Sequence, residues 1–197
     1  MAADPDFELL EAWRRGDREA GGRLFDGHLG AVSRFFKNKV DGNTEDLVQE
    51  TFLACVEGRD RFEQRSTFRT YVFAIARNVL LGHLRRRGRR QFDSLTTSVA
   101  DMGQSVGSVI ARSEQHRLLL RALRHLPADF QITLELFYWE GLDGASLAEV
   151  LSISPHTVRS RISRARAMLK DRVGELTDDP ALRDSTLARL EALVSES

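Results

Sequence analysis

The sequence predicts an all-α protein of two small helical domains joined by a flexible linker. Three observations carry that expectation. Apolar residues recur at helical spacing along most of the chain, with no convincing strand, internal repeat or heptad seam. Twelve of the eighteen residues 91–108 are Gln, Asp, Ser, Thr or Gly, and they split the helical pattern into two blocks. Residues 147–162 read as two short helices joined by a tight turn, the second of them basic. The expected boundaries are a first domain at 7–90, a linker at 91–111, a second domain at 112–172 and an acidic tail at 173–197.

Taken in order, Phe7, Leu10 and Trp13 form one apolar stripe, broken at Gly16-Asp17. Leu24, Phe25, Leu29, Val32, Phe35 and Phe36 form the next. Asp41-Gly42-Asn43 is a turn, and Thr44 is placed to cap a helix that opens with Glu45 and Asp46 and runs through Leu47, Val48, Phe52 and Val56. A charged connection spans 58–66. Thr67 to about Arg87 reads as one long helix with Phe68, Val72, Ile75, Val79 and Leu80 inward. Beyond the linker, Leu119, Ala122, Leu123 and Leu126 mark a helix over 112–126. Pro127 and Asp129 open another, carrying Phe130, Leu134, Phe137 and Tyr138 and ended by Gly141. After Asp178-Asp179-Pro180, Leu182, Leu187, Leu190, Leu193 and Val194 allow a short amphipathic helix.

The stretch 147–162 carries the most chemistry. Leu147, Val150, Leu151 and Ile153 bury one side of the first helix and turn, and Ala148 is small enough for close helix approach. Asp143 can cap that helix. Ser154 can cap the second, with Pro155 at the first helical position, where it is best tolerated. Val158, Ile162, Ala165 and Leu169 face inward, so Arg159, Arg161, Arg164 and Arg166 cannot all be buried. This is the layout of a DNA-binding helix-turn-helix, whose second helix enters the major groove. The alternative is an amphipathic hairpin with a solvated basic face. Cap, turn, small residue and basic helix coincide here, which favours the first.

Composition narrows the class. Net charge is zero, against a protein that coats nucleic acid indiscriminately, yet the charge is uneven. Residues 155–172 carry six basic residues against one acid, Arg85, Arg86, Arg87, Arg89 and Arg90 form a second basic cluster, and the tail has six acids and two arginines. Two local basic sites suggest two defined contacts with nucleic acid. No apolar run is long enough to span a bilayer. The acidic, polar Met1-Ala2-Ala3-Asp4-Pro5-Asp6 start is no secretory signal, and lone Cys55 excludes an internal disulfide, so the expected location is cytoplasmic, without membrane insertion.

These parts resemble the extracytoplasmic-function sigma factors, two-domain members of the sigma-70 family of bacterial RNA polymerase subunits, over roughly residues 7–172. Glu45-Asp46-Leu47-Val48-Gln49-Glu50-Thr51-Phe52 is similar to the family's polymerase-binding helix. Thr67-Phe68-Arg69-Thr70-Tyr71-Val72-Phe73-Ala74-Ile75-Ala76-Arg77-Asn78, followed by His83-Leu84-Arg85-Arg86-Arg87, is similar to its promoter −10 helix. Leu126-Pro127, Gly141-Leu142 and the strings from Leu147 to Arg166 follow its −35-binding domain. Departures are Tyr71 for the usual Trp, Ala74 for Arg, Gly82 for Asp, Gly144 for an aromatic, and Ser152 for the Gly of the turn.

The resemblance implies a factor that binds core polymerase, reads −35 and −10 elements and helps begin promoter melting. In the −35 domain it agrees with helix geometry: Arg159, Ser160 and Ser163 toward base edges, Arg161, Arg164 and Thr157 toward phosphates, and His156 toward either. For −10 DNA it implies a pocket for an extruded base in the loop 60–66, and contacts by Arg69, Arg77, Asn78, His83, Arg85, Arg86 and Arg87. Asn78 could equally be a solvated or capping amide, and 85–90 a solvated linker start. It implies that Asp46, Leu47, Gln49, Glu50 and Leu53 dock on the clamp helices of the largest polymerase subunit. It implies further contact with the polymerase flap and, commonly, an anti-sigma partner.

Asp46 and Glu50, four apart, could suggest a metal or acid–base pair, but no histidine or third ligand joins them; an acidic first turn also suits the helix dipole. No catalytic motif and no metal or cofactor signature is present, so no enzyme is expected. The competing class is an autonomous helix-turn-helix regulator acting without core polymerase. Such a protein normally dimerises on paired half-sites, and no dimer seam or ligand pocket is evident. The acidic tail beside a basic helix motivates the expectation that it docks on its own protein and tunes DNA or core binding; a solvated tail is the alternative.

Overall fold

The computed structural model describes residues 5–40, 42, 44–87, 93–100 and 113–195. The start at 1–4, Asp41 and Asn43 of the predicted turn, Arg89 and Arg90 of the basic cluster, and 101–112 of the linker region lie outside the described residues. In chain order the helices are α1 Pro5–Arg14, α2 Arg18–Lys37, α3 Thr44–Gly58, α4 Phe68–Arg87, α5 Glu114–Arg124, α6 Ala128–Tyr138, α7 Gly144–Leu151, α8 Pro155–Leu176 and α9 Pro180–Ser195. Among the described residues, none of these is long and apolar enough to cross a membrane.

Helix ends fall where local chemistry places them. Gly16 takes φ +103°, ending α1, and the Asp17 carboxylate then accepts the N–H groups of Glu19 and Ala20 at 2.9 and 3.0 Å. Asp143 accepts from Ser146 N at 2.8 Å, and Ser154 from Thr157 N at 3.1 Å. Asp179 caps α9 through the N–H groups of Ala181 and Leu182.

Two apolar clusters form, and their boundary does not follow the domain boundary. The first starts with Leu10, Trp13, Leu24 and Phe36, takes in Leu47, Cys55, Phe68, Phe73 and Leu80, and continues through Ala128, Ile132 and Leu136 of α6 into Leu147 and Leu151 of α7. The second joins Leu118, Leu119 and Leu123 to Leu134, Tyr138, Ala165, Leu169, Val173 and Leu190. Helix α6 therefore presents one side to the first domain and the other to α5, α8 and α9, while α7 lies against α4. The two domains are packed together. Cys55 is fully buried, and burial pushes its thiol up to about 12, as suits an inert core cysteine.

The polar composition of the linker reads as flexible, yet residues 93–100 are tied to the second domain. Ala128 N donates to Thr97 O at 3.1 Å, Asp129 N to Ser94 O at 2.9 Å, and Ala100 N to Arg124 O at 3.0 Å. The first N–H groups of α6 have no partner inside the helix, and this segment supplies acceptors for two of them. The tail likewise forms a helix docked on α5, α6 and α8, with Leu190 and Thr186 buried.

Candidate nucleic-acid interface

The helix-turn-helix is built as its sequence suggests. Ser152 ends α7 in the left-handed region at φ 54°, ψ 46°, and Ile153 N closes the turn on Ala148 O at 3.0 Å. Val158, Ala165 and Leu169 anchor α8. His156, Thr157, Arg159, Ser163 and Arg164 are exposed. Ser160 is half-buried, and its hydroxyl donates to Thr157 O at 3.0 Å.

Arg161 stands apart from that face. Its side chain is 10% exposed, packs over the Phe130 ring and lies 3.7 Å from Asp129 Oδ2. The same carboxylate takes Arg77 of α4, whose Nε and Nη2 donate to Oδ1 at 3.1 and 2.7 Å, and the Ser94 hydroxyl at 2.9 Å. Burial, partly offset by Asp129, lowers the Arg161 pKa; the nearby Arg77 charge acts in the same direction as burial.

Among the described residues, Asp129 is one of three such carboxylates. Glu140, just past α6, receives Arg69 Nη2 at 2.6 Å and Arg34 Nε at 3.3 Å. Glu135 receives the ammonium of Lys39, which is fully buried and also donates to Phe35 O, with Asn38 Nδ2 at 3.3 Å. Burial lowers the Lys39 pKa against the pull of Glu135. A fourth bridge runs from Ser66 Oγ to Glu149 Oε1 at 2.6 Å.

These contacts divide the residues expected at −10 DNA. Arg69 and Arg77 face the second domain, whereas Asn78, Arg85 and Arg86 are exposed. His83 is not presented outward: it continues the inward stripe of Ala76, Val79 and Leu80, is 8% exposed, and burial, then Arg87 and Arg86, hold its pKa below the usual value. Under the loop 60–66, Phe62 stacks on Tyr71 at 4.5 Å, and Phe68 packs beside both.

On α3, Asp46, Gln49, Glu50 and Leu53 form an exposed strip, with Leu53 at 59% exposure and Arg86 Nη2 3.6 Å from Glu50. Leu47 does not belong to it. One residue on from Asp46 turns the helix by about 100°, and Leu47 is buried in the core with Thr51 and Cys55.

Sequence reasoning passed over Glu135 and Glu140 and treated Asp129 only as a helix opener. An acid on a helix reads as solvated polar surface, and no local signal names a partner 52 residues away, as Arg77 is from Asp129.

Comparison with known proteins bears on this geometry. Residues 24–90 match the family Sigma-70 region 2, and residues 116–169 match Sigma-70, region 4. The chain is 30% identical over 182 residues to the ECF RNA polymerase sigma-E factor of Haemophilus influenzae, covering 87% of this chain and 96% of that one. It resembles the solved structure of the sigma factor RpoE bound to the anti-sigma factor NepR from Bartonella quintana, with 26% identity, TM-score 0.60 and coverage of 77% and 93%. It shares the fold of CnrH, solved with the cytosolic domain of CnrY, at 24% identity, TM-score 0.66 and coverage of 89% and 100%.

Proposed function

The chain belongs to the extracytoplasmic-function group of the sigma-70 family, and from that membership we propose how its parts share the work of a sigma factor. The exposed strip of α3, with Asp46, Gln49, Glu50 and Leu53, docks on the clamp helices of core polymerase, and the second domain meets the flap. Helix α8 enters the major groove at −35. There Arg159 bonds a guanine through O6 and N7, Ser163 reads a neighbouring base, and Thr157 and Arg164 hold phosphates. Helix α4 meets −10 DNA with Arg69, Arg77, Asn78, Arg85 and Arg86. The loop 60–66, over the Phe62–Tyr71 stack, holds an unstacked base so that melting can begin.

The observation that carries this reading is the capped, exposed face of α8, where one Arg, two hydroxyls and a second Arg stand together on a rigid helix. Likeness to the Bartonella quintana factor, solved with an anti-sigma factor, supports a partner of that class here. Run-off transcription with purified core polymerase, with and without this protein, tests the reading on promoters selected from its own genome. Core-dependent, sequence-specific initiation that is lost in Arg159→Ala is the expected result. Tight specific DNA binding without core, and no initiation with it, would overturn it in favour of an autonomous regulator.

A further inference from the structure

The loop 60–66 is held in shape by α1, which lies before the residues 24–90 matched to Sigma-70 region 2. All three guanidinium nitrogens of Arg14 are engaged. Nε and Nη2 donate to Arg59 O at 3.1 and 2.5 Å, Nη2 also donates to Phe62 O at 2.5 Å, and Nη1 donates to Glu11 Oε1 at 2.7 Å. The same Glu11 oxygen accepts from Gln64 Nε2 at 2.6 Å. Gln64 sits at φ +56°, a left-handed backbone that a side chain disfavours and that persists only where the surroundings hold it. On either side of it, Glu63 and Arg65 are exposed and paired at 2.5 Å. The Arg59 guanidinium lies over the Trp13 ring at 5.2 Å. Helix α1 is itself firmly seated: Leu10 is fully buried, Trp13 packs edge-on against Phe25 at 5.1 Å, and a Cβ at Gly21 would lie 2.6 Å from the Trp13 ring. All of these contacts lie within the first domain, so none of them depends on the second.

We propose that Glu11 and Arg14 are positioning residues for base selection at −10: they fix the loop 60–66 in one backbone conformation before DNA arrives. The inference rests on the proposed role of that loop in holding an unstacked base. Both residues act through the loop backbone. Arg14 pins the chain at Arg59 and Phe62, and Glu11 pins it at Gln64, so three points within six residues leave the segment little freedom. A loop that must be ordered on binding loses part of the binding free energy to its own conformational entropy. A loop that can rearrange also accepts a wrong base nearly as well as the right one. The arrangement needs the forked guanidinium. A Lys ammonium at position 14 would keep the charge without the fixed fan of donors that serves two carbonyls and a carboxylate at once.

The test uses the full chain as wild type, Arg14→Ala, Arg14→Lys, Glu11→Ala, Glu11→Gln and the control Arg15→Ala, which removes an exposed cation from the same helix. Trypsin cleavage after Arg61 and Arg65 reads the order of the loop without DNA or polymerase. Discrimination is read with core polymerase bound, as affinity for DNA duplexes that end in a single-stranded −10 non-template strand substituted one base at a time. Substitutions in the −35 element are the internal reference. Loss of folded protein lowers the active fraction and leaves affinity ratios unchanged, so a fall confined to one −10 position belongs to the loop. Arg14→Ala, Arg14→Lys and Glu11→Ala are expected to be cut about tenfold faster, as suits a lost charge-assisted hydrogen bond. They should lose about fivefold or more of base discrimination at one −10 position and keep it at −35. Glu11→Gln, which keeps the acceptor, and Arg15→Ala should stay near wild type. Unchanged cleavage, faster cleavage with full discrimination, rescue by Arg14→Lys, or equal losses in Arg15→Ala would each overturn the proposal. If Arg14→Ala does not fold, Glu11→Ala, at the more exposed of the two side chains, is read in the same way. A wild type with no base preference at any −10 position removes the base-holding reading, and the positioning role with it, whatever the cleavage rates.

Discussion

The hydroxyl of Tyr71 fills the space beside Gly58: a Cβ at residue 58 would lie 2.2 Å from that oxygen and 3.6 Å from the ring carbon bearing it. Gly58 has φ −93° and needs no glycine for its backbone, so the requirement is steric. Tyr71, stacked on Phe62 of the loop 60–66, imposes a glycine at the end of α3. Gly58→Ala is therefore expected to destabilise the protein by about 1–3 kcal/mol through overpacking. Tyr71→Phe in the same chain removes the oxygen and leaves an ordinary contact, so the double variant recovers most of the loss. Thermal unfolding of the two singles and the double measures it; no recovery in the double would show that the hydroxyl is not the obstacle.

Ser152 holds a left-handed conformation at the turn of the helix-turn-helix. A side chain there costs about 1–2 kcal/mol, which glycine avoids, offset by about 0.4–1 kcal/mol of extra freedom in the unfolded chain. Ser152→Gly should raise stability slightly, with Tm higher by a few degrees. A lower Tm would mean that the Ser152 side chain contributes something beyond its strained backbone.

Arg159 and Arg164 are both exposed on α8 but have different expected roles. Arg159→Ala should cost about 1–3 kcal/mol at one −35 position and relax base preference there. Arg164→Ala should weaken promoter binding evenly across sequences and reduce the salt slope by about one. Binding of the polymerase complex to a panel of −35 variants distinguishes them, and matching profiles would contradict the assignment.

Leu53 is a large apolar side chain exposed beside Asp46, Gln49 and Glu50. Leu53→Asp should leave the melting temperature close to wild type and weaken binding to core polymerase by about tenfold or more, because it places a charge in an apolar contact. Titration of labelled protein with core measures it. Undiminished affinity would move the docking surface away from α3.

His83 is buried with its pKa lowered, chiefly by desolvation. Below its ordinary value of 6.5 the unfolded chain takes up a proton that the folded protein resists. Stability is then full above that pH and falls as pH drops from there toward the lowered folded value. His83→Gln should flatten this part of a stability-against-pH curve measured in urea. An unchanged slope would place the proton uptake elsewhere.

The helices, the caps at Asp143 and Ser154, the helix-turn-helix and the exposed face of α8 were legible because each depends on residues within about a turn of one another. The same periodicity, applied more strictly, separates Leu47 and His83 from the surface roles that family likeness suggested. Both lie on the buried stripe of their own helix. The linker misled through composition: serines and threonines at 93–100 look solvated until the free N–H groups of α6 are there to be met.

The sequence by itself determined the helical class, the helix-turn-helix and the family, through local spacing and short motifs. Only the tertiary structure decided that Arg77 and Arg161 meet on Asp129, that Lys39 is buried on Glu135, and that the tail packs on the second domain. Helical periodicity says which way a side chain points from its own axis. It carries no information on which distant element stands opposite, and the balance of desolvation and pairing that fixes a buried charge exists only once that element is in place.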